Sequence, residues 1–523
     1  MSREHTQTHV SLASSAAQDV ANATERAEQL SRAPSTQPVA IRRKAQVLTR
    51  PVVAFDPVHG VRRSLYALNV DVGEGVSLLM HQPTGAVDEL PSDLASSVVT
   101  APELLPPEAV EYFVARGYLT RLTEAEEEAE FAELVQRVED DHMSQFSAPL
   151  FSFITAYSCN LSCSYCFQAN TGVRASDTRT MTVEAARQFL KVVEQSPKHP
   201  DRSVIELFGG EPLLPKLREV VELIVLSVEK MSYRVRATTN GTGLNTYLDL
   251  LGPTRISELQ VSLDGPREVH DSRRVGLSKK PTFDLIWHGV REAVSRGTKV
   301  LIRANLDRRN FEAFPALVEF IADEGLLGCS LLEIHYINVR SDPVAPDFGG
   351  GHEMRLDEIE AYLANETQRH PFLAQIAAPH EIGTFNDWLS KNFQNPSTRH
   401  CGAVTNNVYF SPDGLVYSCH ETAGRPEFAI GEVIDGQLLY NRTAQRWRSR
   451  RVDNIAACRR CPHALTCSGG CAARTDILNE PHQSYCDGFD AKFRAVLQRQ
   501  YRASKSSESH TGGEVNHEQH KRR

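Results

Sequence analysis

Eleven cysteines in 523 residues are spread so unevenly that they constrain the fold more than any other feature of the chain. Three fall within Cys159-Asn-Leu-Ser-Cys163-Ser-Tyr-Cys166, seven fall in 401–486, and Cys329 stands alone. An odd number in tight clusters suits metal ligation better than a disulfide framework. No apolar run follows the polar start at Met1–Gln7 in the way a secretory signal would, so a cytoplasmic protein is expected. The C-x3-C-x2-C spacing on one loop can hold three irons of a cubane [4Fe–4S] cluster and leave the fourth open. A zinc site would want four protein ligands, and no fourth Cys or His is near in sequence.

The cysteines sit in an ordered succession of segments. Residues 1–45 and 503–523 are polar and without period, and are expected to be disordered tails. Residues 46–122 read as a small α+β domain of winged-helix type. It has strands at Ser64–Val70 and Gly75–Met80 and a helix from Pro107 that stops at Gly117. An acidic helical linker, 123–147, is expected to be a solvated connector. From 148 to 345 strand and helix alternate six times. The strands are Phe151–Ala156, Val204–Phe208, Val235–Thr239, Glu258–Leu263, Val300–Asn305 and Leu331–Ile337. The helices between them are Val183–Glu194, Leu217–Met231, Asn245–Leu251, Thr282–Arg296 and Glu312–Asp323. This α/β pattern predicts a partial (β/α)6 TIM-like barrel, whose chemistry belongs on the loops after the strand C-termini. A helical connector, 346–400, leads to a cysteine-rich domain, 401–495, where bound metal replaces missing core.

Composition excludes other classes. A net charge of -9 leaves no broad basic footprint, so nucleic acid is not an expected partner. No run approaches the ~18 apolar residues of a membrane span, so no membrane is expected either.

The first cysteine loop, with aromatic Tyr165 before Cys166, resembles the signature of the radical S-adenosylmethionine (radical SAM) enzymes. That resemblance implies that the amino and carboxylate groups of S-adenosylmethionine chelate the open iron. Electron transfer into the sulfonium then yields methionine and a 5'-deoxyadenosyl radical. Other turns agree. Gly209-Gly210-Glu211-Pro resembles the family's GGEP motif, in which the glycines let backbone approach the ligand and the carboxylate accepts from its ammonium group. Thr239 and Asn240 belong to a TNG-like turn, and Ser262 and Asp264 to an SLDG-like turn. Arg303 can meet the methionyl carboxylate with a two-pronged guanidinium.

The later cysteines resemble the seven-cysteine SPASM extension of a subset of this family. By that analogy Cys458, Cys461, Cys467 and Cys486 bind one auxiliary [4Fe–4S] cluster and Cys401, Cys419 and Cys471 another, three clusters in all. A pair of zinc knuckles competes, because C-x2-C also nucleates zinc sites. Cys329 reads as a small buried hydrophobe.

Enzymes of this type act on polypeptide. One class installs crosslinks or other oxidative changes in ribosomally made precursor peptides; the other, the anaerobic sulfatase maturases, makes formylglycine. The small domain before the barrel resembles the element that binds the precursor's leader in the first class, and the second lacks it. The resemblance also implies an external electron donor such as flavodoxin or ferredoxin. A non-catalytic iron–sulfur electron carrier is the reading from another class, and it would have no need of the GGEP, TNG and SLDG turns. No residue is singled out as a general base.

Overall fold

A computed structural model describes residues 60–145, 148–166, 168, 178–198, 203–339, 351–376, 396–477, 482–486 and 488–511. The expected tail 1–45 lies outside them.

The N-terminal module is a three-stranded antiparallel sheet with helices behind it. Strands β2 (Ala67–Gly73), β3 (Val76–His81) and β4 (Ala86–Pro91) pair in chain order. A short ribbon of β1 (Arg62–Arg63) and β5 (Leu119–Thr120) closes its base. Helices α1 (Ser92–Thr100) and α2 (Pro107–Arg116) bury Leu94, Val98 and Phe113 against one sheet face, with Leu79 and Leu90 from the strands. Gly117 ends α2 with a left-handed φ of 88°, where a Cβ would stand 2.5 Å from the His81 ring. The expected helix and its glycine stop are as the sequence indicates; β4 was not anticipated.

Helix α3 (Glu124–Gln145) is not the solvated connector that its charge suggests. It buries Phe131 and Val135 with Tyr66, Val452, Ile455 and Leu465 in a core shared with the cysteine-rich region. Its acidic face pairs with that region too, through Glu124 and Glu128 with Arg460 and through Glu139 with Arg399 at 2.8 Å.

The six predicted strands are all present, as β6 (Leu150–Ala156), β7 (Val204–Gly209), β8 (Arg234–Thr239), β9 (Ile256–Ser262), β10 (Lys299–Leu306) and β11 (Leu332–Asn338). Each is parallel to the next. Between them run α4 (Val183–Gln195), α5 (Arg218–Lys230), α6 (Arg267–Arg273), α7 (Phe283–Ser295) and α8 (Phe314–Asp323). The helix expected at Asn245–Leu251 is two short 3-10 turns, Leu244–Thr246 and Leu248–Leu250. The preceding Gly243 is pressed on the neighbouring segment, where a Cβ would meet the Leu213 carbonyl at 1.9 Å. Alternate strand residues such as Ile205, Leu207, Val235, Ala237, Leu259 and Ile302 are buried against the helices in one continuous core.

The same sheet continues into the cysteine-rich region. Strand β12 (Asn407–Phe410) lies parallel to β6, and β13 (Leu415–Tyr417), β14 (Gly431–Ile434) and β15 (Gln437–Tyr440) follow antiparallel. Helix α9 (Leu356–Arg369) precedes them, α10 (Arg442–Arg448), α11 (Ala464–Cys467) and α12 (Ala472–Ile477) follow, and α13 (Phe489–Thr511) closes the described chain. Helix α13 runs into the stretch expected to be disordered. Its Phe493 and Leu497 cover the second face of the N-terminal sheet, on Leu68, Val70 and Met80. Among the described residues no helix is long and apolar enough to cross a membrane.

Candidate functional site

The first cysteine loop leaves the C-terminal end of β6, where the parallel topology places chemistry. Two neighbouring segments hold it by main-chain hydrogen bonds. Gly210 N donates to the Ala156 carbonyl at 2.8 Å and Glu211 N to Ser158 at 3.0 Å, while Ser162 N donates to Val275 at 2.9 Å and Leu277 N to Asn160 at 3.0 Å. The tight fit explains the glycines. A Cβ on Gly209 would stand 2.3 Å from the Ala156 carbonyl oxygen, and one on Gly210 2.2 Å from that of Tyr157. Both glycines are therefore placed against the backbone that leads into Cys159.

The three thiols share one neighbourhood. Burial, with Glu211 beside it, pushes the Cys159 thiol up to about 12, and Cys163 and Cys166 add to the rise. Burial also pushes Cys163 up, opposed by Arg274. Cys159 and Cys163 are thus held as neutral thiols without a cation, and a bound metal replaces those protons. Among the described residues no three of His, Cys, Asp and Glu converge on a point as ligands of one ion do. Three thiolates on one loop are the soft donors that iron–sulfur clusters take.

Around the loop, two polar groups gather at the strand ends. In the first, the buried Glu211 carboxylate accepts from Thr239 Oγ1 and Asn240 N, both at 2.6 Å, and from Leu213 N at 2.9 Å. Burial pushes this carboxyl up, and the three donors oppose that shift. Asn240 Nδ2 donates to Asn160 Oδ1 at 2.9 Å and lies 3.7 Å from Cys159 Sγ. Glu211, Thr239 and Asn240 are thus one unit tied to the first cysteine.

In the second, the fully buried Asp264 accepts from Asn305 N at 3.1 Å, Asn305 Nδ2 at 3.0 Å and the Tyr165 phenol. Arg274 donates to that phenol at 2.5 Å, and Arg273 lies over the Tyr165 ring at 5.1 Å and binds Asp307 at 2.9 Å. Burial, reinforced by Asp264, pushes the Tyr165 phenol well up and keeps it a neutral donor. Ser262 and Arg303 are register partners on β9 and β10, both half-buried, and His335 of β11 is the next in that row. Sequence reasoning singled out Asp264 and missed Arg273, Arg274 and Asp307. The arginine doublet after the SLDG turn was the available signal.

The later cysteines divide into two sets. Burial pushes Cys458 up to about 11 and Cys467 to about 12, and each is raised further by Cys461 and Cys486. Cys401 is pushed up to about 11 by burial and then by Cys471; Cys419 is pushed well up by burial, with Cys471 and Cys401 adding. Cys401 and Cys486 are exposed by surface area. Apolar contacts separate the sets in the same way: Cys458 and Cys461 pack with Val452 and Ile455, and Cys419 and Cys471 with Trp447 and Ala403. Cys329 belongs with neither, being packed against the barrel core.

Comparison with known proteins agrees with this geometry. Residues 153–321 match the family model described as Radical SAM superfamily. Fe-coproporphyrin III synthase of Methanosarcina barkeri is 28% identical over 189 residues, 35% of this chain and 44% of that one, so the chain spans less than half of that relative. A serine-type anaerobic sulfatase-maturating enzyme of Bacteroides thetaiotaomicron is 22% identical over 391 residues, 67% of this chain and 90% of the relative. The solved structure of native anSMEcpe with bound AdoMet and Cp18Cys peptide superposes with a TM-score of 0.50 at 17% identity, covering 68% of this chain and 99% of that one. The cysteine loop and the strand-end turns all lie within residues 153–321, the segment that matches the Radical SAM superfamily, a family that implies S-adenosylmethionine and a [4Fe–4S] cluster.

Proposed function

We propose that the protein is a radical SAM/SPASM peptide maturase, which installs a crosslink or another oxidative modification in a ribosomally made precursor peptide. The observation that carries this reading is the N-terminal module, a three-stranded antiparallel sheet with one strand edge left over. The outer edge of β2 is occupied by α13, where Arg494 and Gln498 donate to the Asn69 and Asp71 carbonyls at 2.7 and 2.8 Å. Strand β4 pairs only with β3 among the described residues, and the guanidinium of Arg116 takes its Val87 carbonyl. A leader peptide adding as a strand on β4 gains affinity from main-chain hydrogen bonds and specificity from a few side-chain pockets. The peptide bound in anSMEcpe supports polypeptide as the substrate class.

When bound, S-adenosylmethionine and its cluster supply a 5'-deoxyadenosyl radical. The chain's own residues hold and orient. Cys159, Cys163 and Cys166 supply thiolates. Gly209 and Gly210 fix the loop's height, and Glu211 locks Thr239 and Asn240 beside Cys159. Asp264 and Arg274 clamp Tyr165 between them. Ser262 and Arg303 stand together to meet the cofactor's polar end. Cys458, Cys461, Cys467 and Cys486 hold one auxiliary [4Fe–4S] cluster, and Cys401, Cys419 and Cys471 hold the other. The electron comes from an external donor such as flavodoxin or ferredoxin, in the cytoplasm.

The second reading, a sulfatase maturase making formylglycine, is favoured by the 90% coverage of the Bacteroides relative. One experiment separates them: anaerobically reconstituted enzyme is given S-adenosylmethionine with either a leader-bearing precursor or a sulfatase peptide. The maturase reading expects modification only of the precursor, and formylglycine in the sulfatase peptide overturns it.

A further inference from the structure

The chain crosses between the two auxiliary cysteine sets at a buried arginine. Trp447, at the end of α10, packs with Cys419 and Cys471, while Val452, five residues on, packs with Cys458 and Cys461. Arg450 lies between them and is 3% exposed. Its guanidinium donates to the Gly469 carbonyl at 2.8 Å. Gly469 is the midpoint of another crossing, Cys467-Ser-Gly-Gly-Cys471, whose two ends belong to different sets. A Cβ built on Gly469 would lie 3.7 Å from that guanidinium and 3.9 Å from Cys458 Sγ, so cation and sulfur flank the same turn. Burial lowers the Arg450 pKa, and Cys458, Cys471, Cys401 and Cys467, two from each set, oppose that shift. Arg399 holds the segment in place by donating to the carbonyls of Arg448 and, at 3.4 Å, of Arg450.

We infer that Arg450 is a cation shared by the two auxiliary iron–sulfur clusters, one that raises the reduction potential of both and offsets the repulsion between them. The inference rests on the reading that both sets carry clusters. A buried cation is costly unless anions face it, and ligated thiolates are such anions. Reduction adds a negative charge to a cluster, so a fixed cation nearby favours the reduced form, net charge and hydrogen bonding being established determinants of cluster potential. A residue that only props up the fold would not act on both clusters alike. Arg450 is in this sense a positioning and tuning residue that touches no substrate.

The test is a spectroscopically monitored redox titration of the reconstituted full chain, with iron counted first. Parent protein is expected to hold about twelve irons per chain; about four means that the auxiliary clusters are absent, and the reading and this inference fall together. With about twelve present, Arg450→Gln is expected to lower the reduced-to-oxidised ratio of both auxiliary clusters at least tenfold at a fixed poise, about 59 mV for a one-electron couple. The cluster on Cys159, Cys163 and Cys166 should be unmoved. Arg450→Lys keeps the charge and is expected to keep full iron and ratios within about threefold of the parent. A shift in one auxiliary cluster only, an equal shift in all three, or no shift overturns the inference. If Arg450→Gln loses iron, the lysine variant decides: retained iron and ratios support a role for charge, and loss of either overturns it.

Discussion

Replacing Gly210 by Ala tests whether the GGEP glycines serve the cysteine loop. The new Cβ would stand 2.2 Å from the Tyr157 oxygen and 2.4 Å from that of Ser158, short of ordinary contact at 3.4 Å by about 1 Å. Both are backbone atoms, so no rotamer change relieves the clash, and strand end and turn must separate. Overpacking of this kind costs roughly 1–3 kcal/mol. The separation also strains the Gly210–Ala156 and Glu211–Ser158 hydrogen bonds, worth roughly 0.5–1.5 kcal/mol each. The total, about 2–6 kcal/mol, is a large share of the roughly 5–15 kcal/mol that holds a domain together. Gly276 is the control. It lies on the other segment strapped to the loop, and a Cβ there meets nothing nearer than 3.5 Å, so Gly276→Ala should change stability by no more than about 1 kcal/mol. Urea unfolding of the cluster-free proteins reads the stability. Iron per chain after reconstitution should fall by about four in Gly210→Ala and stay at the parent level in Gly276→Ala. A Gly210→Ala protein with the parent's urea midpoint and full iron would refute the reasoning.

Replacing Cys159, Cys163 and Cys166 together by Ala should abolish formation of 5'-deoxyadenosine while leaving the auxiliary iron; cleavage at the parent rate would remove the loop from the chemistry. Adding leader peptide should slow hydrogen exchange at the amides of β4, and unchanged exchange across residues 86–91 would remove the strand-addition reading. Burial lowers His81 from 6.5 to about 3. The unfolded chain binds the extra proton first, so the folded module should lose up to about 1.4 kcal/mol per pH unit as pH falls from 6.5 toward 3. An otherwise stable His81→Gln variant should lack that slope, and parallel pH profiles for the two proteins would rule the effect out.

What the sequence made legible is what depends on local order. Six strands and four of the five barrel helices follow from alternation, and each motif lies on the strand end expected for it because turn chemistry is local. What it hid depends on partners distant in the chain. Strand β12 pairs with β6 across about 250 residues, and no local pattern announces an edge that far away. The apolar stripe of α3, Phe131 and Val135, is thinly spaced among glutamates, so charge masked a buried face. Arg273 and Arg274 look like surface cations until Asp307, Asp264 and Tyr165 are folded around them. Strand β4 was missed because Asp88, Glu89 and Pro91 dilute its apolar alternation.

The shared core around α3 bears on how a recognition module can serve a radical enzyme. A module on a flexible tether raises the local concentration of its cargo but leaves the cargo's position undefined. Here Tyr66 stacks on Phe131 at 4.6 Å and its phenol donates to the Arg459 carbonyl, between Cys458 and Cys461. Gln82, just past β3, accepts from Leu465 N at 3.0 Å and bonds Thr466. The sheet proposed to take the leader is thus bolted to the segment proposed to hold an auxiliary cluster. Its register relative to the barrel is set by packing, and the length of peptide between leader and modified residue becomes the measure of reach. Removing the module that carries Tyr66 would uncover Phe131, Val135, Val452 and Ile455 beside Cys458, so recognition and metal binding share one packed core.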